Sequence, residues 1–346
     1  MDPTFIMSTE RSGSNLVRKM LGAHPDIAAP PPAHHLIHLS RILPYYGPLT
    51  DDSNFEDLVY DAVVMTQVEN SHLEWKHDIE VDDVLERVTA RNLPGVLEAM
   101  YDEVADREEA LGWACKENRL WEDAFAIRDT IPDAKFVYLC RDGRDVAVSM
   151  QNVPTHDEHV YYIAREWFDH QLLCLEVVQE LAAHDAALIL KYEDLIETPE
   201  DELRRVCEFV DVEYHPRMLG FHKLDETQEA ADKTVFWENL SKPVMSDNKG
   251  KFYDQLTERE RQIFESVAGN GLEMLGYPLQ FPDMNLDLSY LEKKKIETEN
   301  WLKKQLHERE LEEEAGRKER SDMLSSLYER RTDCDSYQAF VERTSY

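Results

Sequence analysis

Apolar residues gather in three short runs closed off by polar, turn-forming residues: Thr4 to Ser8 (TFIMS), Lys135 to Cys140 (KFVYLC) and Ala187 to Lys191 (ALILK). Runs of this length bounded by such residues predict buried strands. Helical spacing follows each of them. After the first, Leu16, Met20 and Leu21 share one helix face, which Gly22 and Pro25 end; after the second, a helix is predicted over Val146 to Met150; after the third, one runs from about Pro199 to Val210. An amphipathic helix over Tyr161 to Leu181 precedes the third strand. Strands alternating with helices are the pattern of βαβ units, so the expected class is α/β, with a central, mostly parallel sheet covered on both faces. Ligands of such sheets sit at the carboxyl ends of the strands.

Two segments depart from that alternation. Pro30, Pro31 and Pro32 force an extended loop before His34 and His35, because consecutive prolines fit neither a helix interior nor a central strand. From about 36 to 112 the pattern is helical with polar breaks, including Asp82 to Val88 and Val96 to Val104, and predicts a helical insertion. Tyr45, Tyr46, Trp75 and Tyr101 in it are read either as pocket lining or as core. After Pro278 and Pro282 the composition shifts, and about Leu286 to Tyr328 reads as one long charged helix with Ile296, Leu302 and Leu306 on one side. That stripe packs against the body or joins two copies in a homodimer. The expected organisation is one domain over 1–285 and a charged helical extension over 286–346.

Composition narrows the function. Of 346 residues, 42% are hydrophobic, enough for a core, and charges interrupt every apolar stretch before the roughly eighteen residues of a membrane span. The first residues lack a basic region and a cleavable apolar core, so no signal peptide is expected and the cytoplasm is the expected location. Against 38 basic residues stand 71 acidic ones, a formal net charge of −33, which excludes nucleic acid as the expected partner. The acidity is spread along the whole chain, as in proteins kept soluble at high salt, and a halophilic host is the corresponding expectation. Cys115, Cys140, Cys174, Cys207 and Cys334 are odd in number, scattered and without a CxxC pair, so they read as reduced core thiols. Neither a disulfide framework nor a metal site is expected.

The chemistry lies in two loops. Arg11-Ser12-Gly13-Ser14-Asn15 joins a strand to a helix N-terminus, where backbone N–H groups and the helix dipole favour an anion, and Gly13 lets the backbone approach it closely. The Walker pattern GxxxxGK[ST] is absent, which weighs against ATP or GTP. Arg141 directly follows the second strand and Ser149 stands eight residues later in the next helix, so a cation and a hydroxyl converge on a second anion site. The alternative for Arg141 is an ion pair with Asp142 or Asp145. Two anion sites on one sheet edge point to a nucleotide phosphorylated at two places.

These segments resemble the sulfotransferases that use 3′-phosphoadenosine 5′-phosphosulfate (PAPS). FIMSTERSGSNLVRKMLGAHPDI resembles the family's 5′-phosphosulfate loop, FVYLCRDGRDVAVSM its 3′-phosphate motif, and LKYEDLIETPEDELRRVCEFVDV and NKGKFYDQLTERERQIFESVAGNGLEMLGY its later blocks, in family order over roughly residues 3 to 278. The resemblance implies a three-layer, P-loop-like fold, PAPS as donor, adenosine 3′,5′-bisphosphate (PAP) as product and no metal. It implies that Arg11, Ser12, Gly13, Ser14 and Asn15 hold the 5′-phosphosulfate, that Arg141 and Ser149 hold the 3′-phosphate, and that Lys249, Gly250 and Lys251 belong to the loop touching the cofactor. Phe252 stands where a Trp is common. Tyr192 is read as lying near the adenine or, equally, as a core tyrosine.

Sulfuryl transfer needs donor and acceptor held in line and cations on the leaving oxygen. Arg11 is the first such cation. Lys116, in GWACKENRLW, resembles the lysine that precedes the 3′-phosphate strand in the family and is the second, with an ordinary surface lysine as the alternative. A general base must also reach the acceptor hydroxyl. The family usually places a glutamate shortly after AHPDI, where this chain has Ala28-Ala29-Pro30-Pro31-Pro32. His34 and His35 follow and imidazole suits the role, with His35 preferred and Glu10 and Glu117 as alternatives. The expected acceptor is a hydroxyl of a carbohydrate or glycolipid, then a small phenol or alcohol, then a protein tyrosine. Two other readings stand: a non-catalytic PAP-binding protein, which the missing glutamate favours, and a P-loop nucleotide-kinase-like enzyme, which the missing Walker lysine disfavours.

Overall fold

A computed structural model describes residues 1–69, 71, 73–151, 159–284, 286, 288–311, 316–334, 339–340 and 343, with the backbone only at 232, 235–236 and 304–311. Strands β1 (Thr4–Ser8), β2 (Ile27–Ala28), β3 (Gly112–Lys116), β4 (Lys135–Cys140) and β5 (Ala187–Lys191) form one sheet in the order β2-β3-β1-β4-β5, every pairing parallel. The three predicted strands are β1, β4 and β5. Alternation along them assigns the two faces: Phe5, Met7, Phe136, Tyr138 and Cys140 enter one core cluster, while Ile6, Val137 and Leu139 enter the other. Both faces are therefore covered, as all-parallel sheets require.

The helices are α1 (Ser14–Gly22), α2 (Asp52–Val64), α3 (Val81–Arg87), α4 (Leu93–Arg107), α5 (Ala124–Thr130), α6 (Gly143–Met150), α7 (Val160–Ala182), α8 (Tyr192–Glu197), α9 (Pro199–Phe209), α10 (Asp225–Lys233), α11 (Phe252–Gln255), α12 (Glu258–Met274), α13 (Tyr290–Leu311) and α14 (Arg317–Arg331). Helices α1 and α9 bury Val17, Met20, Leu203 and Val206 on the Ile6 side, whereas α4, α7 and α12 cover the Phe5 side. The chain leaves β1 toward one face and β4 toward the other. Their following loops diverge and leave a crevice at the carboxyl edge between two adjacent strands, the switch point where open α/β sheets bind ligands.

Two expectations are corrected. Gly112 to Lys116, which begins where the helical insertion was expected to end and was not read as a strand, is the strand β3, and Ile27–Ala28 is the short β2. Their glycine, alanine and lysine content carries little strand preference; pairing with β1 on one side and β2 on the other places β3 in the sheet. The predicted single C-terminal helix is two, because Gly316 with φ 70 takes the left-handed conformation ahead of α14. The apolar stripe is partial: Ile296 is buried, Leu302 is 51% exposed, and the Leu306 side chain lies outside the described residues.

Helix α14 is docked by charge as well as by Leu327 and Tyr328, which join the Phe5-side core. The buried Asp61 carboxylate of α2 accepts from Tyr46 Oη at 2.7 Å, Arg330 Nη2 at 2.7 Å and Arg331 Nε at 2.6 Å. Tyr46, Trp75 and Tyr101 are buried in the core, and of the predicted pocket aromatics Tyr45 alone is exposed. Among the described residues no helix is long and apolar enough to cross a membrane. All five cysteines are buried and free.

Candidate functional site

The crevice at the carboxyl edge holds a cavity of about 330 Å³, lined from the first loop by Arg11, Gly13, Ser14 and Asn15 and from the second by Arg141 and Ser149. Segments 130 residues apart in sequence converge because β1 and β4 are hydrogen-bonded neighbours, with Ser8 opposite Leu139. No side chain caps α1, so its first turn faces the cavity with its N–H groups and positive dipole end. Gly13 adopts φ 98, and a Cβ there would lie 2.6 Å from the Tyr192 ring, so glycine is required on both counts. Arg11 is left-handed as well, at φ 59, a strain concentrated at the turn.

The two loops are wired together. Arg11 Nε donates to Ser149 Oγ at 3.2 Å, and Arg141 Nη1 donates to the Arg11 carbonyl at 3.2 Å. Arg141 Nη2 donates to the Asn248 carbonyl at 3.0 Å, and its guanidinium lies 4.3 Å over the Tyr192 ring. Burial, with Arg141 as a neighbouring charge, pushes the Arg11 guanidinium below its usual range. Among the described residues Arg141 makes no ion pair with a carboxylate. The ion pair once open to it is made by Arg144, whose guanidinium is 1% exposed and holds Asp142 at 2.7 Å and Glu265 at 2.6 Å. One arginine of RDGRD is thus sealed into the fold while the other faces the cavity.

The third loop meets the cavity through Lys251. Gly250, with φ 66, and Phe252 donate their N–H groups to the Asp145 carboxylate at 2.6 and 3.0 Å. Lys249 points elsewhere, into an ion pair with Glu197. Neither Lys249 nor Gly250 lines the cavity. Ser12 does not line it either: its hydroxyl is buried and shares a hydrogen bond with Thr9 at 2.9 Å, which accepts from Gln171 at 3.0 Å, itself bonded to Tyr138. Tyr192 is buried and lines the cavity, with its hydroxyl accepting from Asn248 Nδ2 at 2.6 Å. Asn248 was not singled out from sequence, and Asp145 was named only as a possible ion-pair partner of Arg141, not as the anchor of the third loop.

On the other side of β1, Lys116 ends β3 and is buried, its ammonium bonded to Asn118, which in turn donates to Glu10 at 3.3 Å. Burial lowers the Lys116 ammonium to about 8, against the opposing pull of Glu10 and Glu117. It is not an ordinary surface lysine. His35 is 0% exposed; its Nε2 bonds the Ala62 carbonyl at 2.9 Å, which requires the proton on that nitrogen, and its Nδ1 lies 3.5 Å from Glu117 Oε1. A ring so enclosed does not reach an acceptor. His34 is half-buried, has φ 64, and donates its N–H to Glu117 Oε1 at 3.0 Å. Glu117 is buried, and its placement between both histidines was not foreseen.

The arrangement fits a small polyanion with more than one phosphate-like group. Cations, a hydroxyl and an uncapped helix end line one cavity, and the Arg141 Nε is buried with no hydrogen-bond partner among the described residues. Also among the described residues, no group of three or more His, Cys, Asp or Glu side chains is placed to hold a metal ion.

Comparisons with known proteins agree with this geometry. Residues 3–216 match the model of the family described as "Sulfotransferase family". A Caenorhabditis briggsae protein provisionally named a protein-tyrosine sulfotransferase is 25% identical over 285 residues, covering 79% of this chain and 88% of the relative. The protein-tyrosine sulfotransferase of Drosophila melanogaster is 21% identical over 290 residues, 79% of this chain and 51% of the relative, so the chain spans about half its length. Among solved structures, the sulfotransferase domain of the Synechococcus olefin synthase superimposes with a TM-score of 0.54 at 21% identity, covering 80% of this chain and 95% of that one. The sulfotransferase domain from the curacin biosynthetic pathway does so at 0.52 and 16% identity, covering 80% and 98%.

Proposed function

The chain belongs to the sulfotransferase family, a PAPS-dependent enzyme class, and on that premise we propose that it transfers a sulfuryl group to the phenolic hydroxyl of a tyrosine. The observation that carries the reading is the single cavity into which Arg11, Arg141, Ser149 and the first turn of α1 converge. When bound, PAPS supplies the sulfuryl group, which leaves a phosphate oxygen for the acceptor oxygen as PAP is released. The uncapped turn of α1 and Arg11 receive the 5′-phosphate end, while Arg141 and Ser149 hold the 3′-phosphate. Lys251 closes the third side. Arg11, which lines the cavity, and Lys116, which does not, are the cations proposed to neutralise charge that builds on the leaving oxygen.

His34 is the proposed general base, taking the acceptor's proton as the acceptor oxygen bonds to sulfur; Glu10, beside Arg11, is the competing candidate. A phenol, with pKa about 10, suits imidazole better than a more basic aliphatic hydroxyl does. The curated relatives named above support the tyrosine acceptor, and the carbohydrate hydroxyl expected from sequence is the competing outcome of the same screen. Cytoplasmic location, a halophilic host and a homodimer through α13, where Trp301 and Leu302 are exposed, remain part of the proposal.

A thermal-shift titration comparing PAP, AMP and ATP with Mg²⁺ tests the donor site. Selective stabilisation by PAP, lost in Arg141→Ala and maintained from low to molar salt, is expected. Stabilisation by ATP alone, or by none of the three, overturns the reading. PAP release with tyrosine peptides, sugars and small phenols then separates the acceptors, and undiminished turnover in His34→Ala removes His34 as the base.

A further inference from the structure

The loop that presents His34 is held from outside the segment matched by the family model. Arg320, in the first turn of α14, donates its Nη2 to the Ala33 carbonyl at 3.1 Å. Glu117, at the end of β3, accepts the His34 N–H at 3.0 Å. That carbonyl and that N–H belong to one peptide group. A cation grips its oxygen and an anion its nitrogen, each on the side that matches the peptide dipole. Rotating the peptide plane by half a turn would aim the carbonyl at Glu117 and the N–H at Arg320, two opposed contacts in place of two matched ones. The plane sets φ of His34, which stands at 64, a left-handed value that a non-glycine residue holds only when its surroundings impose it.

The two charges are also poised on each other. Arg320 Nη1 and Glu117 Oε2 are both buried without a hydrogen-bond partner among the described residues. Burial lowers the Arg320 guanidinium to about 10, and the Glu117 charge is what opposes that fall. Around Glu117 stand Lys116, His35 and Asp123, and Arg320 itself faces His38, so the cluster is a mixed-charge network, not an isolated pair.

We infer that Arg320 is a positioning residue, and that the C-terminal extension acts in sulfuryl transfer by locking the 33–34 peptide so that His34 is presented to the acceptor. The inference deepens the function proposed above and rests, for its catalytic consequence, on His34 being the base. Amide exchange of the full-length chain, resolved at His34, tests the lock without any activity. In Arg320→Ala the His34 amide should exchange at least tenfold faster while the amides of β1 and α1 are unchanged. In Arg320→Lys, which keeps the cation, most of the protection should return. Turnover should fall at least tenfold in Arg320→Ala with the PAP titration midpoint within twofold, and should recover in the lysine variant. An exchange rate within twofold of wild type in Arg320→Ala overturns the inference. Should that variant not fold, Arg320→Gln is measured by the same exchange experiment. A lost lock combined with undiminished turnover in His34→Ala would leave Arg320 holding the turn and remove His34 as the base, separating the two claims.

Discussion

The cavity and the scaffold around it hold their charges differently. At the cavity, Arg141 rests on two backbone carbonyls and an aromatic face, partners that a polyanion outcompetes without stranding a carboxylate, and Arg11 donates its Nε to a serine hydroxyl. Away from the cavity, charges face charges: Glu117 against Lys116 and Arg320, Asp61 against Arg330 and Arg331, Arg144 against Asp142 and Glu265. Arg141 thus faces the cavity without a carboxylate partner among the described residues, while the buried ions of the scaffold are committed to one another.

The sharpest way to break the comparison lies within RDGRD. Arg144→Ala leaves Asp142 and Glu265 buried and unpaired, and should cost ~3–5 kcal/mol of stability by denaturant unfolding. Arg141→Ala should leave the unliganded protein near wild-type stability yet weaken PAP at least ~30-fold, since a desolvated contact between charges is worth ~2–5 kcal/mol. If both variants unfold alike, or if both bind PAP alike, the division fails. Next, Gly13→Ala forces a side chain into φ 98 and against Tyr192, so a loss of ~2–3 kcal/mol in stability is expected, with PAP binding impaired in whatever still folds.

Lys116 sharpens the comparison through pH. Its burial-lowered value of about 8 means that it is charged below that pH and neutral above it. The transition-state cation is then lost as pH rises, so kcat/KM should fall on an alkaline limb with a midpoint near 8. Lys116→Arg, which stays charged, should move that limb upward, and a profile flat to pH 9 would remove Lys116 from the chemistry. The smallest effect belongs to Ser149→Ala, which deletes one hydroxyl that also accepts from Arg11. A loss of ~1 kcal/mol, about fivefold in PAP affinity by titration, is expected.

What could be read from the sequence follows from how far each feature reaches along the chain. The strands β1, β4 and β5, the turn at Gly13 and the pair Arg141 and Ser149 were legible because each depends on contiguous residues whose apolar runs and turn chemistry are local. The −33 charge and the scattered cysteines likewise needed no structure. Tertiary packing alone decided the rest. Strand β3 is fixed by its pairing with β1 and β2, since of its residues only Trp113 has a marked strand preference. The side chain of Ser12 lies in the network with Thr9, Gln171 and Tyr138, which no single segment contains. His35 is enclosed by Ala62 and Glu117, residues 27 and more positions away, so the histidine that looked the better base in sequence is the one without access. The clasp on the 33–34 peptide joins residues from a loop, a strand end and the C-terminal helix. Local propensity is written in neighbours along the chain, whereas the pairing of a buried charge is settled only by whatever the fold brings within a few ångströms of it.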